Sequence, residues 1–186
     1  MGRFARSYRK VFPAILFACA GAACTATPDA EVILEARDLI ARLSDAERRA
    51  AGPLDEWVRA GAAGPSDDRR VALLTTAPAR VIWTGRLPER AWIETAVLLA
   101  DGAGATARIG ISDLRLYEGL ARIELGPAGG SEPAWQPVHV DLGQYAGWQW
   151  SLFYRPSSIE WRLVFSADAT PGGTIAWARP VIKRRR

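Results

Sequence analysis

The sequence predicts a mainly β protein, an antiparallel β-sandwich preceded by one amphipathic α-helix. Three observations point there. From Arg70 onward, short apolar runs follow one another at close intervals, separated by Gly, Pro, Asp and Ser clusters. The stretch from Trp135 to Pro156 holds two period-2 patterns joined by a Gly/Tyr turn. No segment has the strand–helix–strand rhythm of a parallel sheet, and no internal repeat is visible.

The two patterns show the logic at residue level. Val138, Val140 and Leu142 alternate with His139 and Asp141, and Trp150, Leu152 and Tyr154 alternate with Gln149, Ser151 and Phe153. Successive strand side chains point to opposite faces, so each run can bury one face and wet the other. Gly143 to Gly147 makes the reversal. This same stretch reads W-x-P-V-x-V-D-L-x-x-Y-A-G, and Trp177 to Ile182 reads W-A-x-P-x-I. Together they resemble a galactose-binding-like jelly-roll module, of the kind found beside sulfatase and other hydrolase domains in bacterial surface proteins. The resemblance covers roughly Arg70 to Ile182. It implies a non-catalytic module that binds carbohydrate or braces a neighbouring enzyme, and it carries over no site residue. It also leads one to expect an enzyme domain after Arg186, where this sequence stops.

Taken in order, residues 1–24 are expected to be a lipoprotein signal peptide. A basic segment ends at Lys10, an uncharged apolar stretch runs from Val11 to Ala23, and Gly21, Ala22 and Ala23 precede Cys24. The apolar stretch is short for a membrane span, which needs about 20 residues, and fits a secretory leader. Cys24 is the expected lipidation site. Cys19 is the rival, but it would leave a hydrophobic core of only about seven residues, low for a signal. A plain secreted protein cut near Cys24 is the other alternative. Thr25 is not Asp, which in bacterial lipoproteins argues for the outer membrane. No other cysteine occurs, so the mature body has no thiol for a disulfide, a zinc site or a nucleophile.

Residues 27–60 are expected as a helical stalk or packing segment. Thr27 suits an N-cap, Pro28 the first helical position, and Val32, Ala36, Leu39, Ile40 and Leu43 recur at helical spacing over 27–50. Gly52-Pro53 ends that helix, with one further turn around Trp57. Residues 61–69, rich in turn formers, are the expected linker. The sandwich is expected over 70–182, with strands near Val71–Thr75, Arg80–Gly85, Ala91–Ala100, Thr106–Ser112, Leu120–Gly126, Val138–Leu142, Trp148–Tyr154, Glu160–Ser166 and Thr174–Ile182. A basic tail, 183–186, closes the chain.

Composition narrows the function. Of 24 basic residues, four lie in the leader and four in the tail, leaving 16 against 20 acidic ones. A body at about −4 offers no overall basic surface for nucleic acid. His139 is the lone histidine. With Asp141 on the same strand face it could orient an imidazole, but an exposed polar pair explains both. Glu94, Glu124, Asp141 and Glu160 are strand acids whose separations sequence does not reveal. Loop acids such as Asp101 or Asp168 would be the candidates for a structural calcium, though no dense Asp/Asn/Gly run marks a loop for it. No G-x-S-x-G, HExxH, P-loop or G-x-G-x-x-G motif occurs. No metal, cofactor or catalytic residue is predicted.

Eight tryptophans in one small domain are the anomaly. Trp83, Trp150 and Trp161 sit in alternation with apolar residues and are expected inside, and the resemblance implies a buried position for Trp177. Trp92, Trp135 and Trp148 are the expected exposed rings, and so the candidate carbohydrate-binding residues, because aromatic faces suit sugar rings. Two function classes follow. One is a lipid-anchored envelope module binding a polysaccharide or an envelope enzyme; the other, poorly equipped with acids and bases, is a hydrolase.

Overall fold

The computed structural model describes residues 33–126, 134–145, 160–168 and 173–185. The leader with Cys19 and Cys24, positions 27–32 of the expected helix, the expected strand Trp148–Tyr154 and Arg186 lie outside the described residues. Every described residue belongs to one compact unit.

Eleven strands are described: β1 Ile33–Asp38, β2 Glu47–Ala50, β3 Val58–Ala63, β4 Arg70–Thr76, β5 Ala79–Gly85, β6 Ala91–Asp101, β7 Ala105–Ser112, β8 Tyr117–Leu125, β9 Gln136–Asp141, β10 Trp161–Asp168 and β11 Thr174–Arg185. They form two antiparallel sheets. The six-stranded sheet runs β3-β4-β11-β6-β9, with β1 also on β11, and the five-stranded sheet runs β2-β5-β10-β7-β8. The protein is thus a mainly β, two-sheet antiparallel sandwich, as its strand spacing implies.

Alternation explains each sheet. On β5, Ala79, Val81 and Trp83 enter the core while Arg80 and Thr84 stay outside. On β7, Ala105, Ala107, Ile109 and Ile111 do the same against Thr106, Arg108 and Ser112. Val138, Val140 and Leu142 are buried, and His139 and Asp141 are exposed. At the centre Phe165 of β10 meets Trp83 edge-on at 5.4 Å and Trp177 at 4.9 Å. Trp177 belongs to the other sheet, so this trio ties the two layers together. Burying a side chain such as Phe165 stabilises by about 1.5–3 kcal/mol.

The expected helix over 27–50 is corrected from residue 33 onward. Ile33–Asp38 is a strand, Leu43–Asp45 a single 3₁₀ turn, and Glu47–Ala50 another strand. Tertiary pairing overrides helix propensity here: β1 hydrogen-bonds to the second half of β11, and β2 to β5. Asp38 also breaks the run, its Oδ1 accepting the N–H groups of Ile40 and Ala41 at 2.8 and 3.2 Å. The apolar stripe still goes inward, with Leu39 in the main core and Ile40 and Leu43 packed on it. Within 54–60, α1 (Leu54–Trp57) is one turn long and leads into β3.

Two boundaries move for the same reason. The linker expected at 61–69 shrinks to the reversal 64–69, because Val58 to Ala63 pair with Arg70 to Thr75. The basic tail expected at 183–186 is strand as far as Arg185: Lys183 and Arg184 are paired with β1 on one side and β6 on the other. Between these halves β11 bulges at Arg179 (φ 43°) and Pro180, where it leaves β4 and takes up β1.

Candidate functional site

The outer face of the six-stranded sheet holds the sequence-nominated rings. Trp92, expected to be exposed, is 4% accessible. His139, opposite Glu94 on β9, stacks on it at 6.1 Å and 29°, and the Arg185 guanidinium lies 5.2 Å from its ring centre. Its Nε1 donates to Glu94 Oε1 at 2.8 Å, and Lys183 Nζ donates to Oε2. Lys183, and after it the Trp92 indole, hold the Glu94 carboxyl below its usual range against the opposing effect of burial. His139 is therefore a lid on a tryptophan. Asp141 does not orient it: Asp141 Oδ1 accepts the Gly143 N–H at 2.7 Å in the next turn.

Trp135 is half-buried. It packs on a small outer cluster of Ala63, Ala72, Leu74 and Ala176, donates to the Asp68 carbonyl at 3.0 Å, and lies 5.3 Å from the Arg70 guanidinium. Arg70 in turn forks onto Asp68 at 2.6 and 2.7 Å, holding that carboxyl below its usual range. Trp92 and Trp135 are thus not open platforms, and Trp148 lies outside the described residues. The surplus of tryptophan has a structural explanation, since Trp83, Trp92, Trp135 and Trp177 each place the indole N–H on a partner. Trp161, expected inside, sits half-buried at the core margin, edge-on to Tyr145 at 5.5 Å. A shallow groove of about 360 Å³ on this face runs past Arg59, Arg69, Leu74, Leu98, Asp101 and Thr174, without an aromatic wall.

The outer face of the five-stranded sheet is different. Register places four rows across it. Thr84, Arg162, Ser112 and Tyr117 form one; Glu47, Ile82, Val164, Gly110 and Gly119 the next; then Arg49, Arg80, Ser166, Arg108 and Arg122; then Asp168, Thr106 and Glu124. Tyr117 leans across Gly110, where a β-carbon would collide with its Oη, Cζ and Cε2, and the residue remains 54% exposed. Nothing lies within 4 Å of a β-carbon position on Gly119, so the trough beside the ring is open. The hairpin turn that feeds Tyr117 is braced: Asp113 Oδ1 accepts the N–H groups of Arg115 and Leu116 at 2.9 and 2.8 Å, and Leu114 takes φ 78°. Those N–H groups, Leu116 first, lower the Asp113 pKa. Leu114 and Leu116 of the same turn are exposed.

Polar side chains line the rest of this face. Glu47 accepts from Arg162 at 2.8 Å and from Arg49 Nε at 2.6 Å. Glu124 accepts from Thr106 at 2.6 Å and from Arg122 at 2.7 Å, which lowers its pKa in that order of weight. Arg108 Nε lies 3.2 Å from Asp168 Oδ2, close enough for an ion pair but not aligned as a hydrogen bond. Sequence reading missed Tyr117 because it started this strand at Leu120; the alternation from Thr106 to Ser112 was the available signal. Glu94 and Glu124 lie on opposite outer faces, so they do not form a catalytic pair across a cleft. Among the described residues, no group of three or more His, Cys, Asp or Glu is placed to hold a metal ion.

Solved structures share this architecture. A cleaved adhesin domain (K1) of Lys-gingipain from Porphyromonas gingivalis superposes with TM-score 0.55 and 12% identity, covering 82% of this chain and 98% of the other. The CBM22-1 xylan-binding domain of Xyn10C from Paenibacillus barcinonensis gives 0.51 and 12%, covering 83% and 95%. The chain has the fold of these sandwich modules. A structure of the M60 catalytic domain with CBM51-1 and CBM51-2 from Clostridium perfringens ZmpB gives 0.50 and 11%, covering 82% of this chain and 15% of that longer one. The galactose-binding-like sandwich implied by the V-D-L…Y-A-G and W-A-x-P elements is therefore present as a fold. No family model matches the sequence, and no curated protein matches it.

Proposed function

We propose that this protein is a non-catalytic carbohydrate-binding module of the bacterial cell envelope, held at the outer membrane by a lipid on Cys24. The observation that carries the reading is the Tyr117 ring leaning over Gly110 beside the open trough at Gly119. An aromatic ring with an accessible face stacks on the C–H face of a sugar, while paired arginines and carboxylates around it take hydroxyl groups. Trp92 and Trp135 each lie under an arginine and would first have to shed it, whereas Tyr117 is 54% exposed.

Fold likeness to a xylan-binding domain supports the reading at the level of architecture. The test is affinity electrophoresis of the purified chain through a panel of plant and microbial polysaccharides. Retardation by at least one of them, abolished in Tyr117→Ala at an unchanged melting temperature, is the expected result. Turnover of a chromogenic ester, glycoside or sulfate by the chain, or retardation indifferent to Tyr117, would overturn it.

A further inference from the structure

The third row on the five-stranded face is a rung of arginines. Arg49, Arg80, Arg108 and Arg122 stand in direct cross-strand register, on β2, β5, β7 and β8, with Ser166 of β10 between the inner two. Strands lie about 4.8 Å apart, so the rung crosses all five strands over about 19 Å. Like charges directly opposite one another destabilise a sheet. Arg49 and Arg80 are such a pair, and Arg108 and Arg122 are another.

Internal acids offset this only in part. Glu47 serves Arg49 and Arg162, Asp168 lies beside Arg108, and Glu124 takes Arg122. That leaves five arginines on the face against three carboxylates. Arg80 has no acidic partner among the described residues, although it stands between Arg49 and Ser166 in the row and is exposed. Beside the rung, Ile82 and Val164 face outward yet are only 7% and 8% accessible. Long neighbouring side chains cover such residues with their aliphatic stems and leave their charged heads in water. The rung is thus a line of arginines one row away from the open trough, with Arg49, Arg80 and Arg122 exposed and Arg108 partly buried.

We propose that the ligand of this face is an acidic polysaccharide, one whose sugar rings carry carboxylate or sulfate groups. The inference rests on the carbohydrate-binding reading and adds the chemistry of the ligand. A chain running across the strands would place rings over Tyr117 and the Gly110–Gly119 trough, and its anionic substituents against the rung. Guanidinium forks match both carboxylate and sulfate oxygens.

Matched pairs of polymers test this: dextran sulfate against dextran, and polygalacturonate against its fully methyl-esterified form. Binding of the purified chain to each is measured by affinity electrophoresis and by titration at rising salt. At least one charged member is expected to bind at least tenfold more tightly than its uncharged counterpart, with affinity falling as salt rises. Arg80→Gln together with Arg122→Gln should remove that preference at an unchanged melting temperature, whereas Arg69→Gln, in the reversal before β4, should leave it intact. Equal binding to both members of each pair through Tyr117 would overturn the acidic ligand and keep the carbohydrate reading. Charge preference that survives the double substitution, or equal affinity for phosphatidylglycerol vesicles or duplex DNA, would overturn the rung as a specific site. Failure to bind any polysaccharide, charged or neutral, would overturn both.

Discussion

Tyr117 and Gly110 occupy one another's space: the phenol stands where a side chain on the neighbouring strand would begin. The ring's position therefore depends on the glycine as much as on the tyrosine. Gly110→Ala should push the ring away and reduce polysaccharide affinity as far as Tyr117→Ala does, although it removes no contact group. Gly119→Ala fills open space and should weaken binding without lowering the melting temperature. Tyr117→Phe should retain most affinity. Titration of the three variants against one bound polysaccharide checks the set.

Thr75 and Trp177 form a hydrogen bond inside the core, Nε1 to Oγ1 at 2.9 Å, with both residues fully buried. Thr75→Val keeps the shape but strands the indole N–H. A buried donor without a partner costs about 1–3 kcal/mol. Chemical denaturation should show that loss with an unchanged slope, and Thr75→Ser should recover most of it.

A chain starting at Arg70 should not fold independently. It lacks β1, β2 and β3, and so exposes one side of β4, of β5 and of the second half of β11. Circular dichroism of that truncation should show no cooperative melt, whereas removal of residues 1–26 should leave the transition intact.

Glu94 should give the fold an acid-sensitive component. Its folded pKa is lowered, first by Lys183 and then by the Trp92 indole. A lowered carboxylate contributes stability that is present above its unfolded value, about 4.3, and is lost as pH falls through the folded value. The melting temperature should therefore drop as pH is taken below that range. Glu94→Gln should flatten this acid arm while changing the neutral value in the same direction.

Cys24→Ser should abolish incorporation of a palmitate analogue in a bacterial host, and Cys19→Ser should not. The reverse pattern would move the lipid to Cys19.

Much of the sandwich was legible because burial imposes period 2. The expected strands from Val71–Thr75 to Thr106–Ser112 and the pair Val138–Leu142 and Glu160–Ser166 all correspond to observed ones within a few residues. The N-terminal stretch misled because Leu39, Ile40 and Leu43 fit a helical stripe, yet reach the core from a strand end and a 3₁₀ turn. The site was hidden for a different reason. Alternation shows that Arg80 and Arg108 each face outward, but only register shows that they flank the same serine. Nor does the sequence say which tryptophan will be covered: the arginine over Trp92 comes from a position 93 residues away.

The two sheets also share an order of assembly. The innermost strands, β10 and β11, come last among the described strands, and each joins the two sides of its sheet. Until β10 is made nothing bridges β5 to β7, and until β11 is made nothing bridges β4 to β6. Such non-local pairing folds slowly. The hairpins β3–β4 and β7–β8 join neighbours in sequence and can form early, but the halves of each sheet meet only when β10 and β11 slot between them.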